Sequence, residues 1–101
     1  MKRVIDGKLY NTDTAKIKAT YESNHGKNNF EFFSEDLYLK KTGEFFIHGK
    51  GGPNSKYCDY FENTRMAGEA IKPLTIEEAK NWAETNLSVE GYQEVFGDIE
   101  E

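Results

Sequence analysis

The segment Leu37-Tyr38-Leu39-Lys40-Lys41-Thr42-Gly43-Glu44-Phe45-Phe46-Ile47-His48 constrains this chain more than any other. Apolar residues crowd both sides of Thr42-Gly43, so it reads as two strands around a tight turn. A two-residue turn would pair Leu39 with Phe46 and Leu37 with His48. A three-residue turn, with Gly43 left-handed in a bulge, pairs Leu39 with Phe45 and Leu37 with Ile47, and sets Lys40 opposite Glu44. The second register gathers Leu37, Leu39, Phe45 and Ile47 on one face, whereas a one-residue slip would scatter them. The side chains therefore choose the bulged turn, and its apolar face needs a cover.

That cover is written into the C-terminal third. Thr75 is a helix cap, Glu78 completes a capping box, and Leu74 is placed to staple against Ala79. Ile76, Ala79, Trp82, Ala83 and Leu87 form an apolar stripe at helical spacing. Ser88 caps a shorter helix through Tyr92, Val95 and Phe96, with Gly97 as its stop. Upstream, Asp6-Gly7 between Val4-Ile5 and Lys8-Leu9-Tyr10 signals a two-residue hairpin. Lys16 to Glu22 alternates strictly, which predicts a half-buried strand with Ile17, Ala19 and Tyr21 inward. Phe30 to Phe33 predicts a further short strand, Gly49 to Pro53 a loop, and Ser55 to Phe61 a short helical stretch. Asn63 to Gly68 reads as irregular, and Glu69 to Lys72 as an edge strand before Pro73. The expected fold is a single α+β domain over residues 1–101: an antiparallel β-sheet of three to five strands with a central hairpin, packed against C-terminal α-helices.

The core material is aromatic, with 7 Phe, 6 Tyr and 1 Trp, and rings that bury roughly 150–250 Å² each can close a small core. The single Cys58 excludes an intramolecular disulfide. The stretch Met1-Lys2-Arg3-Val4-Ile5-Asp6-Gly7 lacks the apolar run of a signal peptide, and no segment approaches the roughly 20 apolar residues that span a bilayer. These features predict a cytoplasmic protein without membrane attachment. The net charge of −5 is uneven. Residues 1–50 carry nine Lys/Arg and seven Asp/Glu, whereas the segment from Glu77 onward carries eight acids and only Lys80. Such a segment repels phosphate backbones and suits a basic partner, or else serves as a solvated helix face.

Candidate chemistry is sparse. His25 and His48 sit in a polar loop and at a strand end, with no Cys or carboxylate at metal-ligand spacing. Cys58 and His48 could meet as nucleophile and base, but a lone Cys beside Tyr57 and Phe61 reads as core packing. Gly49-Lys50-Gly51-Gly52 lacks the spacing and following helix of a phosphate loop, so its glycines read as a turn needing unusual dihedral angles. Carboxylates at Glu35-Asp36, Asp59/Glu62 and Glu77-Glu78 could in principle build a metal-dependent nuclease. Neighbours on a strand point apart, however, and Glu77 and Glu78 have a job in the first helical turn. Lys16, Lys18, Lys40, Lys41, Lys50 and Lys56 interleave with aromatics as in sheets that bind single strands. The overall negative charge opposes that reading. No cofactor, metal or catalytic residue is expected.

Several stretches together resemble a known group. They are Lys8-Leu9-Tyr10-Asn11-Thr12-Asp13-Thr14-Ala15, Leu37-Tyr38, Lys41 through Gly49, Gly51-Gly52, Ser55-Lys56-Tyr57, Pro73-Leu74-Thr75, Glu77-Glu78-Ala79, Trp82-Ala83-Glu84 and Glu94-Val95-Phe96-Gly97. In this order they resemble a family of small proteins carried by phages, plasmids and conjugative elements of Firmicutes. Some of its members are similar to the small type II-A anti-CRISPR proteins. Asn63–Gly68 departs from the family pattern, which is richer in Gly and Ser there. The resemblance implies a non-catalytic protein that binds Cas9 or its guide-RNA complex, interfering with guide-RNA assembly or target-DNA access. An accessory protein of a mobile element with another host target, or a metal-dependent RNase acting on the guide, are the alternatives. The family offers no catalytic motif to transfer. The residues expected to meet a protein partner come instead from charge and helical phase: Glu84, Glu90, Glu94 and Asp98, on faces opposite Trp82, Tyr92, Val95 and Phe96.

Overall fold

A computed structural model describes residues 1–99. Its elements run β1 (Lys2–Ile5), β2 (Lys8–Asn11), β3 (Lys16–Glu22), β4 (Phe33–Leu39), β5 (Phe45–Gly51), β6 (Asp59–Phe61), β7 (Thr64–Met66), β8 (Gly68–Leu74), α1 (Ile76–Asn86) and α2 (Val89–Phe96). The fold is α+β. An antiparallel sheet of order β3-β4-β5-β8 forms its centre, and two separate ribbons, β1-β2 and β6-β7, flank it.

The central hairpin takes the bulged register. Leu39 pairs with Phe45 and Leu37 with Ile47, and Gly43 adopts φ 91°. The Lys40 N–H donates to the Glu44 carbonyl at 2.8 Å, closing the turn. Leu37, Phe45 and Ile47 bury against Ala79, with Trp82, Val95 and Phe96 packed around them. Both helix caps form as expected. Thr75 and Glu78 make a reciprocal capping box, Ser88 accepts from the Gly91 N–H, and Gly97 ends α2 at positive φ. Ile76 does not join the stripe and is 58% exposed, because α1 lays Ala79 and Ala83 closest to the sheet.

The sheet is covered on both faces, where helices on one face alone were expected. Asp6 and Gly7 take φ 52° and 76°, the paired left-handed conformations of a two-residue turn that suits strand twist. The β1-β2 ribbon so formed lays Tyr10 against Phe46 and Ile71, with Ile5, Ala15 and Tyr38 around them. Tyr10 meets Phe46 edge-on at 5.5 Å, and Tyr38 stacks on Phe46 at 5.1 Å. Phe46 is therefore completely buried, on the face opposite Leu37.

Five local expectations are corrected. The β3 ladder slips between Ile17 and Ala19; this bulge turns Ile17 toward the Tyr38 face and leaves it 50% exposed. Phe30 to Phe33 is not a separate strand, since β4 begins at Phe33 and runs unbroken to Leu39. Gly49 and Gly51 lie in β5 and not in a loop, and neither has positive φ. Ser55 to Phe61 is not helical. The Ser55 hydroxyl donates to the Gly52 carbonyl and accepts the Tyr57 N–H, holding a compact turn that releases the chain into β6. Asn63 to Gly68 is ordered, because Glu62 and Asn63 take φ 48° and 66° and fold β7 back on β6. The edge strand before Pro73 forms as β8 and extends through it, the proline facing no further strand.

Candidate functional site

Alternation along β4 sets Glu35 on the helix-covered face, between Phe33 and Leu37, where it is only 5% exposed. Its cross-strand neighbour is Gly49. The missing side chain there lets the Tyr57 ring lie flush on β5; a Cβ at Gly49 would sit 1.9 Å from its Cζ. The Tyr57 hydroxyl donates to Glu35 Oε2, Lys56 Nζ lies 3.0 Å from the same oxygen, and Trp82 Nε1 donates to Oε1 at 3.0 Å. Burial alone would raise the Glu35 pKa, but hydrogen bonds from Tyr57, Trp82 and Lys56 outweigh it and hold the carboxyl below its ordinary value. Burial, the hydrogen bond to Glu35 and its charge push the Tyr57 phenol above its usual range. A carboxylate kept ionised and engaged by three donors is a poor proton acceptor; it clamps α1 and the Ser55–Cys58 turn onto the sheet. Beside it opens a cleft of about 450 Å³ with Tyr21, Phe33, Lys72 and Trp82 in its walls.

The other sequence candidates scatter. Asp36 points to the opposite face, where it accepts from Thr20 Oγ1 at 2.9 Å, so the Glu35-Asp36 pair splits across the sheet. His48 Nε2 lies 2.9 Å from Glu69 Oε2, and His25 Nε2 lies 3.1 Å from Glu31 Oε2. Cys58 Sγ is met by Arg65 Nη2 at 3.8 Å. Among the described residues no three His, Cys, Asp or Glu side chains converge as metal ligands. Lys40 lies over the Tyr10 ring at 4.2 Å and Lys56 over Phe33 at 4.7 Å, so both are tied into the fold.

Glu84, Glu90, Glu94 and Asp98 are all exposed as expected, the first three by helical phase and Asp98 because it follows the Gly97 stop of α2. None is paired with a base among the described residues. Glu90 sits in the first turn of α2, where a negative charge complements the helix dipole. Glu84 and Glu94 do the reverse. They occupy the last turns of α1 and α2, which carry no basic residue, so each adds to the negative end of its helix. Helix stability does not account for acids at those positions. Beside Glu84 lies an apolar groove of about 230 Å³ lined by Leu87, Val89, Tyr92 and Ile99. Glu100 and Glu101, which add to the charge of this segment, lie outside the described residues.

Compared with known protein families, with curated proteins and with solved structures, the chain matches none. No described helix is long and apolar enough to cross a membrane.

The Glu35 clamp escaped the sequence reading, which weighed Glu35 only beside Asp36. A signal was present in the strand alternation: Glu35 shares its face with Phe33, Leu37 and Leu39, and a lone acid on an apolar face needs buried donors.

Proposed function

We propose that this chain is a non-catalytic inhibitor, carried by a mobile element, that binds a type II-A Cas9 or its guide-RNA complex through the acidic end of its helical layer. The observation that carries this reading is the placement of Glu84 and Glu94. They are exposed, unpaired among the described residues, and set against the helix dipole, so their charge costs stability and calls for another use. Cas9 holds its guide and target in a positively charged channel, the kind of surface such an acidic end complements. The family resemblance of the Leu37–Gly49 and Pro73–Glu84 stretches supports the same partner. Binding before the guide is loaded is favoured, because a channel already filled by nucleic acid offers no free positive charge.

The test is cleavage of target DNA by several type II-A Cas9 enzymes, with the protein added before or after guide RNA. Inhibition should be stronger with the protein added first. Full cleavage by every enzyme under both orders would discard the reading. Truncated guide RNA whose appearance depends on Mg²⁺ or Mn²⁺ would replace it with the nuclease alternative.

A further inference from the structure

The β1-β2 ribbon covers only part of the Phe46 face of the sheet. It packs on Phe46 and Ile71, and beyond His48 the same face continues as a row of Glu22, Ser34, Lys50 and Glu69, joined in that order by cross-strand pairing. Both acids of the row are engaged. Glu22 Oε2 lies 3.8 Å from Lys27 Nζ, and Glu69 Oε2 lies 2.9 Å from His48 Nε2. An acid directly opposite a lysine usually pairs with it, but Glu69 turns to His48 instead. Lys50 is therefore exposed and without an ion-pair partner among the described residues. Ser34, on its other side, is only 7% exposed. Buried hydroxyls are ordinarily hydrogen-bonded, yet Ser34 Oγ has no such bond among the described residues. Nor is it sealed in, since no fully buried side-chain donor or acceptor among them lacks a partner. It opens onto a cleft of about 460 Å³ that Lys50 and Glu69 also line. Phe32 walls this cleft, and the small residues Gly52 and Ala67 leave its far end unfilled.

We propose that the cleft binds a small monocarboxylate with an apolar body, its carboxylate bridging Lys50 and Ser34 and its body lying against Phe32 and Ala67. Directly opposite side chains have Cβ atoms about 4.5–5.5 Å apart, so one carboxylate can accept a charge-assisted hydrogen bond from each. The volume falls in the range of small-molecule sites, about 300–1,000 Å³. Charge narrows the class of ligand. One unpaired cation matches one negative charge, whereas a phosphate dianion would bring its second charge beside Glu69 with no further cation to meet it. A wholly apolar ligand would shut Ser34 Oγ away from water without a partner, which is costly. The cleft lies on the sheet face opposite the helices, so this site is separate from the acidic end of the helical layer.

Amide NMR spectra of the full chain during titration with phenylacetate test this without any Cas9. Shifts should saturate with a Kd on the order of 1 mM, as suits a ligand of this size, and should centre on Ser34, Lys50, Gly52 and Ala67. Phenylacetamide keeps the ring but not the charge, and should bind about tenfold more weakly or worse, the loss for one hydrogen bond to a charged group. Lys50→Met and Ser34→Ala should each weaken phenylacetate binding to a similar degree, with spectra elsewhere like that of wild type. Ser34→Ala is a mild change for the fold, because the hydroxyl has no internal bond to lose. Overturning results are an absence of saturable shifts in wild type, shifts centred on Tyr21 and Trp82 beside Glu35, or affinity undiminished in both variants. Equal binding of phenylacetate and phenylacetamide to wild type, an arm that needs no variant, also overturns the proposal. Tighter binding of phenylphosphonate than of phenylacetate would overturn it in favour of doubly charged anions.

Discussion

Trp82 Nε1 donates to Glu35 Oε1 at 3.0 Å, joining residues 47 positions apart. It is the polar tie between α1 and the sheet at a place where the surrounding contacts are apolar. The tie makes the single Trp of the chain a local reporter of that packing. Trp82→Phe keeps a ring in place but leaves one carboxylate oxygen without its donor, and should cost about 2 kcal/mol, in the range for hydrogen bonds to charged groups. Glu35→Ala strands the Trp82 N–H and Tyr57 O–H together and should cost about 3 kcal/mol. Denaturant titrations followed by circular dichroism check both. A loss under half a kcal/mol (roughly the effect of an ordinary surface change) would remove Glu35 from its clamping role.

Acid should unfold this protein through carboxyls whose pKa values fall on folding. Glu35 is lowered by donors that outweigh its burial, Glu44 is lowered to about 2 by hydrogen bonds from Lys8, Thr42 and Lys40, and Glu78 is lowered by the Thr75 backbone and side chain. A depressed folded-state pKa gives stability that is fully present above the unfolded value and lost as pH falls through the folded one. With an ordinary value of 4.5 for each group, the melting temperature should hold steady above that pH and fall below it. Glu44→Gln should flatten the acid limb between pH 4.5 and about 2, since it removes one of the titrating groups. An acid limb unchanged in Glu44→Gln would mean that the Lys8–Glu44 pair does not persist in solution.

The legibility of the fold followed the range of the interactions. The Leu37–Ile47 register, both helix caps and the Asp6-Gly7 turn were readable, because each is decided by residues a few positions apart. The Phe46 face was not. Phe46 looks outward when the hairpin is read alone, and only the distant Tyr10 and Ile71 bury it. The Ser55–Phe61 stretch misled for a related reason: its turn is held by Ser55 with Gly52 and by Tyr57 with Glu35, the second across 22 positions. Of the candidate site, the exposure of Glu84, Glu90 and Glu94 was legible from helical phase, and that of Asp98 from its place beyond the Gly97 stop. The opposition of Glu84 and Glu94 to the helix dipole required knowing where α1 and α2 end.

Gly49 offers a sharper check on the Glu35 centre. A methyl group there would overlap the Tyr57 ring, so Gly49→Ala must push Tyr57 away from Glu35. Overpacking of this kind costs about 1–3 kcal/mol. In a Tyr57→Ala background the obstruction is gone, and Gly49→Ala should cost little. A double-mutant cycle measured by chemical denaturation should therefore show coupling of roughly 1–3 kcal/mol, as for residues in direct contact. Additive losses would show that Gly49 is required for a reason other than Tyr57.

The acidic end makes the most direct prediction about function. Neutralising Glu84, Glu90, Glu94 and Asp98 together, as Glu84→Gln, Glu90→Gln, Glu94→Gln and Asp98→Asn, leaves the buried faces of α1 and α2 untouched. Relief at the last-turn positions Glu84 and Glu94 outweighs the loss of first-turn Glu90, each worth about 0.3–1 kcal/mol. The melt should therefore hold or rise slightly while inhibition falls. If the acids meet a basic groove of Cas9, the variant should inhibit less at every concentration, and its deficit should lie mainly in association rate. Wild-type inhibition should weaken as ionic strength rises and the Debye length shrinks from about 10 Å at 0.1 M salt toward 3 Å at 1 M. The variant should respond to salt much less. Cleavage by a type II-A Cas9 against inhibitor concentration, for both proteins at low and high salt, reads all of this at once. Equal potency with equal salt dependence would exclude the acidic end from the interface and turn attention to the Glu35 cleft or the β6-β7 ribbon as the surface that meets Cas9.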